Sequence, residues 1–198
     1  MRTFRIILWA LVAVAGLGIG ALLVTPRDHQ EQLSGEPFGA PFALVDHNGK
    51  PITEAVLQGQ PTALFFGFTH CPEVCPTTLY ELNGWMQKLG PGGDRLAAYF
   101  VTVDPERDTQ DVLKDYVTAI SDRIVGITGH PADVAAMLQA YHVYAKKVPL
   151  DDGDYTMDHT ASIFLLDSSG RFVGTIAYRE DPDVAVTKLK NLVARDPA

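Results

Sequence analysis

Two cysteines and six histidines are the side chains of this 198-residue chain best suited to covalent or metal chemistry. Both cysteines fall in Thr69-His70-Cys71-Pro72-Glu73-Val74-Cys75-Pro76, with three residues between them and each followed by proline. A thiolate is the nucleophile of disulfide exchange and also the ligand of a soft metal ion, so the pair alone leaves both chemistries open. Thioredoxin-type exchange uses CxxC, and this loop has one residue more. Structural zinc normally takes four ligands, for which one cysteine pair is too few. A soft, low-coordinate ion such as Cu(I) suits two thiolates completed by one imidazole. The third possibility is a structural disulfide, which for a five-residue loop contributes only about 2 kcal/mol and leaves the two prolines unexplained.

The prolines also constrain the loop. A residue before proline is pushed away from the αR region, so Cys71 and Cys75 are expected to be extended. Pro76 suits the first position of a helix, which makes Cys75 its expected N-cap. Leu79, Leu82, Met86 and Leu89 then repeat at helical spacing up to Pro91-Gly92-Gly93. Upstream, Thr62 to Phe68 is a short apolar run of the kind that forms a central strand buried on both faces. Both sulfurs would therefore sit at the positive end of a helix dipole, a setting that stabilises thiolates.

Further elements alternate. Strands are expected at Leu96 to Val103 and Arg123 to Ile127, and helices at Asp108 to Ile120 and Pro131 to Tyr141. Strands at Ala161 to Asp167 and Arg171 to Ala177 form a hairpin around Ser168-Ser169-Gly170, and a helix from Pro182 to Ala194 follows. An earlier hairpin turns at Asn48-Gly49. A βαβ half followed by a ββα half, with cysteines where the first strand meets its helix, is the layout of the thioredoxin-like α/β fold: a central mixed sheet flanked by helices.

That layout narrows the histidines. His29 lies in a polar linker and His47 in a hairpin turn. His70 adjoins Cys71, but neighbours on an extended chain point to opposite sides. His130 and His142 fall at a turn and near a helix end, where partly buried structural roles are expected. His159, in the loop before the late hairpin, faces the cysteine loop in this topology and is the candidate third ligand, with Asp158 as a possible orienting partner.

Residues 6–24 carry no charged side chain and would reach about 28 Å as a helix, enough for a bilayer core. Arg2 and Arg5 precede the run, so the positive-inside rule exports everything after it. A cleaved signal is the competing reading, but the run is long for a signal core and no small-x-small site follows Val24. The expected organisation is a membrane anchor at 1–25, a linker at 26–41 and a thioredoxin-like domain at 42–198. The formal charge of −8 has the wrong sign for binding phosphate backbones, so no nucleic-acid partner is expected.

GFTHCPEVCPTTL (67–79), VTVDPERDT (101–109), YAKKVP (144–149) and DYTMDHTASIFLLD (154–167) occur in the order found in the Sco/SenC family of cytochrome c oxidase assembly factors, and the chain resembles that family over about residues 36–195. The resemblance implies a copper-binding protein with one copper ion per chain, held by Cys71, Cys75 and His159. It further implies a role in maturing the dinuclear copper site of oxidase subunit II, by copper delivery or by reduction of that site's thiols. Its partners would be subunit II and a periplasmic copper donor or thiol reductant, with the domain facing the periplasm from a bacterial inner membrane. A metal-independent thiol-disulfide oxidoreductase with Cys71 and Cys75 as its redox pair is the alternative, and a peroxidase a weaker third. Asp104 and Asp108 are readable either as docking-surface residues or as a turn and helix cap.

Overall fold

The structure is a computed structural model that describes residues 37–151 and 153–195. The apolar run at 6–24 and His29 lie outside the described residues. Among the described residues, no helix is long and apolar enough to cross a membrane.

The strands are β1 (Ala43–Asp46), β2 (Pro51–Thr53), β3 (Thr62–Gly67), β4 (Ala97–Thr102), β5 (Ile124–Thr128), β6 (Ala145–Pro149), β7 (Tyr155–His159), β8 (Ile163–Leu166) and β9 (Phe172–Ile176). The helices are α1 (Val74–Lys88), α2 (Gln110–Ile120), α3 (Pro131–Ala140) and α4 (Pro182–Arg195). Seven strands form one mixed sheet in the order β2-β1-β5-β4-β3-β8-β9, and β6 and β7 form a separate hairpin. The centre is parallel: Phe65 pairs with Phe100, and Phe100 with Gly126. β8 then runs antiparallel to β3, and β9 antiparallel to β8. This is the expected mixed sheet with flanking helices.

β3 is buried along its whole length, as a central strand with both faces covered must be. Its alternating side chains feed two cores. Phe65 stacks on Phe100, which meets Tyr116 of α2, whereas Phe66 packs on Tyr141 and Phe164 on the opposite face. Because β3 is enclosed on both sides and paired along both edges, the backbone leaving it at Gly67 starts from a fixed point. The cysteine loop begins four residues later.

Two local expectations change, and the turn placement of His47 holds. Cys75 is not an extended N-cap: Glu73 holds that position and Cys75 lies inside the first turn of α1. Pro76 tolerates this placement because amides of the first helical turn have no intrahelical acceptor, so its missing N–H removes no helix bond. His47 is buried and structural, its Nδ1 accepting from the Gly126 amide at 2.9 Å. His130 and His142 are exposed rather than partly buried; His130 caps α3 by accepting from the Ala132 amide.

Candidate metal centre

The site is assembled from the end of β3, the start of α1 and the end of β7. The Cys71 amide donates to the Phe68 carbonyl at 3.3 Å, turning the chain back. Its sulfur then accepts from the Cys75 amide at 3.4 Å. Glu73 offers no side-chain cap to α1, so the Cys71 sulfur serves as acceptor at the helix tip. Cys75 projects inward and is fully buried, while Cys71 is 9% exposed. Gly67 makes the depth possible, since a Cβ there would stand 2.8 Å from the Cys75 sulfur.

His159 is the last residue of β7, paired with Ala145 of β6, and not part of a loop. Its Nδ1 lies 2.9 Å from the Thr160 carbonyl. A carbonyl only accepts, so a proton sits on Nδ1 and Nε2 is the ring nitrogen turned towards the sulfurs. That nitrogen lies 3.6 Å from the Cys75 sulfur. The rings of Phe68 and Phe65 stand edge-on to the imidazole and fix its plane. Asp158 is exposed and does not orient the ring; the Thr160 carbonyl does.

One ligand atom from each of Cys71, Cys75 and His159 lies within 4.8 Å of the others. The remaining histidines among the described residues lie outside this group: the exposed His70 ring approaches the Thr69 hydroxyl at 3.1 Å and Asp108 at 3.9 Å. Two sulfurs and an imidazole nitrogen, close enough for one ion to touch all three, form a donor set suited to a soft cation. The two thiols are unlike. Cys71 is lowered to about 4, chiefly by the Cys75 thiol beside it, then by the His159 ring and the backbone of the loop, against the opposing effect of burial. Cys75 is pushed up by the neighbouring Cys71 thiolate and by burial. The pair therefore shares one proton, which resides on the inner sulfur.

The VTVDPERDT segment ties the cysteine loop to the histidine strand, a role the sequence did not reveal. Asp108 is fully buried and accepts from the Thr69 amide at 3.0 Å, the Thr69 hydroxyl at 2.6 Å and the Thr102 hydroxyl at 2.6 Å. Burial pushes its carboxyl up, while these donors pull it down. Asp104, 1% exposed, accepts from the Tyr155 hydroxyl at 2.9 Å and pairs with Arg107. Arg107 donates to the Tyr155 carbonyl at 2.8 Å and lies 3.7 Å from the centre of its ring. Both aspartates are thus interior, which removes the docking-surface reading, and Thr109 is the N-cap of α2. The only sequence signal was Asp104, Arg107 and Asp108 recurring at three- and four-residue intervals, which reads equally well as a solvated turn.

Residues 30–194 match the SCO1/SenC family pattern. The chain belongs to the SCO1/SenC family. It is 36% identical over 160 residues to the mitochondrial protein SCO2 of Saccharomyces cerevisiae, covering 79% of this chain and 53% of that one. The SCO2-like protein of Rickettsia prowazekii is 31% identical over 178 residues, with 85% of each chain covered. Among solved structures, the copper-bound ScoI of Bradyrhizobium japonicum is 47% identical with a TM-score of 0.72, covering 78% of this chain and 99% of that chain. The chain spans about half the length of the first mitochondrial relatives it matches. The family membership and the shared fold agree with a thioredoxin-like α/β sheet carrying Sco-type motifs.

Proposed function

We propose that Cys71, Cys75 and His159 hold one copper ion per chain and that the protein serves the assembly of cytochrome c oxidase. The observation that carries this reading is the Nε2 atom of His159 at 3.6 Å from a buried sulfur, although 84 residues separate the two in sequence. A structural disulfide needs no imidazole, and disulfide exchange does not require one. In this reading residues 1–25 anchor the chain in a bacterial inner membrane, 26–41 form a linker and 42–198 work in the periplasm. The client is the dinuclear copper site of oxidase subunit II, and a periplasmic copper donor or thiol reductant acts upstream.

The asymmetry of the two thiols supports a second activity on the same client, reduction of its disulfide. The Cys71 thiolate attacks one client sulfur and the other leaves as a thiolate. The Cys75 sulfur then attacks Cys71 in the mixed disulfide, giving up its proton and releasing the second client thiolate. Two electrons pass to the client and a Cys71–Cys75 disulfide remains. His159 makes and breaks no bond in that sequence, although its ring helps hold the Cys71 thiol low, so His159→Ala is expected to slow exchange but to remove most of the copper binding. Full-length reduced protein in detergent is expected to take up one Cu(I) per chain, and His159→Ala to bind it at least about 100-fold more weakly. Unaltered affinity in that variant would overturn the copper reading, and a variant that still reduces the client disulfide would leave exchange as the function.

A further inference from the structure

The cysteine loop is also gripped at its midpoint by a turn that plays no other part in the site. Glu73, between the two cysteines, places one carboxylate oxygen against two donors from the turn after β9. The Tyr178 hydroxyl donates to it at 3.1 Å and the Arg179 guanidinium at 2.7 Å. The guanidinium carbon lies 5.1 Å from the centre of the Tyr178 ring, so the two donors also touch each other. The turn is itself held down: the Ala177 amide donates to Glu180, and Glu180 pairs with Lys188 on α4.

Two features point to a positioning role beyond surface charge pairing. Arg179 has φ of +59°, a left-handed conformation that side chains bearing a Cβ rarely adopt. Among the described residues it shares that property, glycines aside, with His142 alone. The Glu73 backbone meanwhile is the N-cap of α1, two residues after Cys71, its carbonyl accepting from the Thr77 amide at 3.1 Å. One residue thus has its side chain fastened outside and its backbone starting the helix whose Cys75 amide donates to the outer sulfur.

We propose that Tyr178 and Arg179 are positioning residues that clamp Glu73 and so keep the Cys71 side of the loop closed over the metal centre. The clamp rests on the copper reading, and it governs how long copper is retained rather than whether it binds. All three side chains of the clamp are accessible, so a docking client can reach it. An exposed ion pair is a weak restraint, which sets the expected effect at about twofold to fivefold in rate.

The test uses full-length protein in detergent, loaded with Cu(I) and mixed with a competing Cu(I) chelator. Arg179→Gly removes the guanidinium and also relieves the left-handed backbone, so its melting temperature is expected to hold or rise. Copper loss in this variant is nevertheless expected to be about twofold to fivefold faster. Glu73→Gln is expected to match it, and the double variant to be no faster than either alone. Hydrogen exchange at the Val74 and Cys75 amides of metal-free protein is expected to quicken in the same variants. Wild-type rates and exchange in Arg179→Gly, or effects that multiply in the double variant, would overturn the clamp. Should the wild-type protein take up no Cu(I), the copper reading fails, and amide exchange still decides whether the clamp exists.

Discussion

Replacing Gly67 by alanine is a stringent test of how the site is built, because one added methyl meets the inner sulfur directly. The new Cβ would stand 2.8 Å from the Cys75 sulfur and 2.7 Å from a Phe100 ring carbon. Comfortable contact begins at about 3.5 Å, so the sulfur must yield roughly 0.7 Å and the ring roughly 0.8 Å. Neither has room to do so. Cys75 and Phe100 are fully buried, and Phe100 is braced by Phe65 at 5.9 Å and Tyr116 at 5.6 Å between ring centres. Overpacking of this kind costs about 1–3 kcal/mol. Alanine recovers about 0.5–1 kcal/mol through the stiffer unfolded chain, leaving a net loss on the order of 1 kcal/mol. The readout is the urea midpoint of reduced, metal-free, full-length protein, expected to fall by roughly 0.5 M.

The same displacement carries the Cys75 sulfur off its position 3.6 Å from His159 Nε2, and Cu(I) affinity is expected to drop by about tenfold. Gly84 supplies an internal control. It lies in α1 with open space where a Cβ would go, and Gly84→Ala is expected to raise stability by about 0.5–1 kcal/mol with copper affinity unchanged. If Gly67→Ala instead matched Gly84→Ala in both measurements, the floor of the site would be plastic. The close fit between strand, sulfur and imidazole would then carry no weight.

Two more predictions follow from the buried acid and the split thiols. Asp108→Ala leaves the Thr69 amide and the Thr102 hydroxyl without their acceptor and is expected to cost about 2–4 kcal/mol, read as a lower urea midpoint. Alkylation of Cys71 by iodoacetamide in reduced, metal-free protein is expected to stay fast down to a midpoint near pH 4, whereas an ordinary thiol is already slow at pH 7. A depressed thiol binds fewer protons folded than unfolded, so its stabilisation of the reduced form is complete above the ordinary thiol value of 9.0 and is lost as pH falls towards about 4. Cys75, pushed the other way, makes the reduced protein less stable as pH rises beyond 9.0. A reduced protein whose stability did not change between pH 5 and pH 8 would contradict the one-proton pair.

Legibility followed burial. Thr62 to Gly67 is apolar at nearly every position because both faces of β3 are covered, so pattern alone located it. The helix after the cysteines was equally plain, since its inward residues repeat at helical spacing. The β6–β7 hairpin escaped for the opposite reason. β6 is mostly exposed and carries adjacent lysines, and β7 is only half-buried, so no face is marked for burial. The strand identity of His159 resides in its pairing with Ala145 across the hairpin, a long-range fact with no local signature. Cys75 was misplaced by one step of local reasoning: the preference of a pre-proline residue for extended backbone is real, but the helix start at Val74 overrides it.

The aspartates show most sharply why a charged segment can hide a framework. Read linearly, VTVDPERDT is a strand end, a turn and a helix cap. In three dimensions its two acids occupy the space between the cysteine loop and the β7 strand, each fastened to a different side. Asp108 holds Thr69, two residues before Cys71, and Asp104 holds Tyr155, four residues before His159. Arg107 closes the gap by bonding Asp104 and the Tyr155 backbone together while its guanidinium covers the Tyr155 ring. Sulfurs and imidazole arrive from distant parts of the chain. What keeps them within 4.8 Å is therefore a buried polar lattice whose every member would look solvated in sequence. Arg107 keeps one buried guanidinium nitrogen without a partner, but the two acids satisfy the donors on either side, and loss of either acid leaves those donors uncompensated. The two halves of the metal centre consequently stand or fall together, and Asp108→Ala should impair copper binding beyond what its stability loss accounts for.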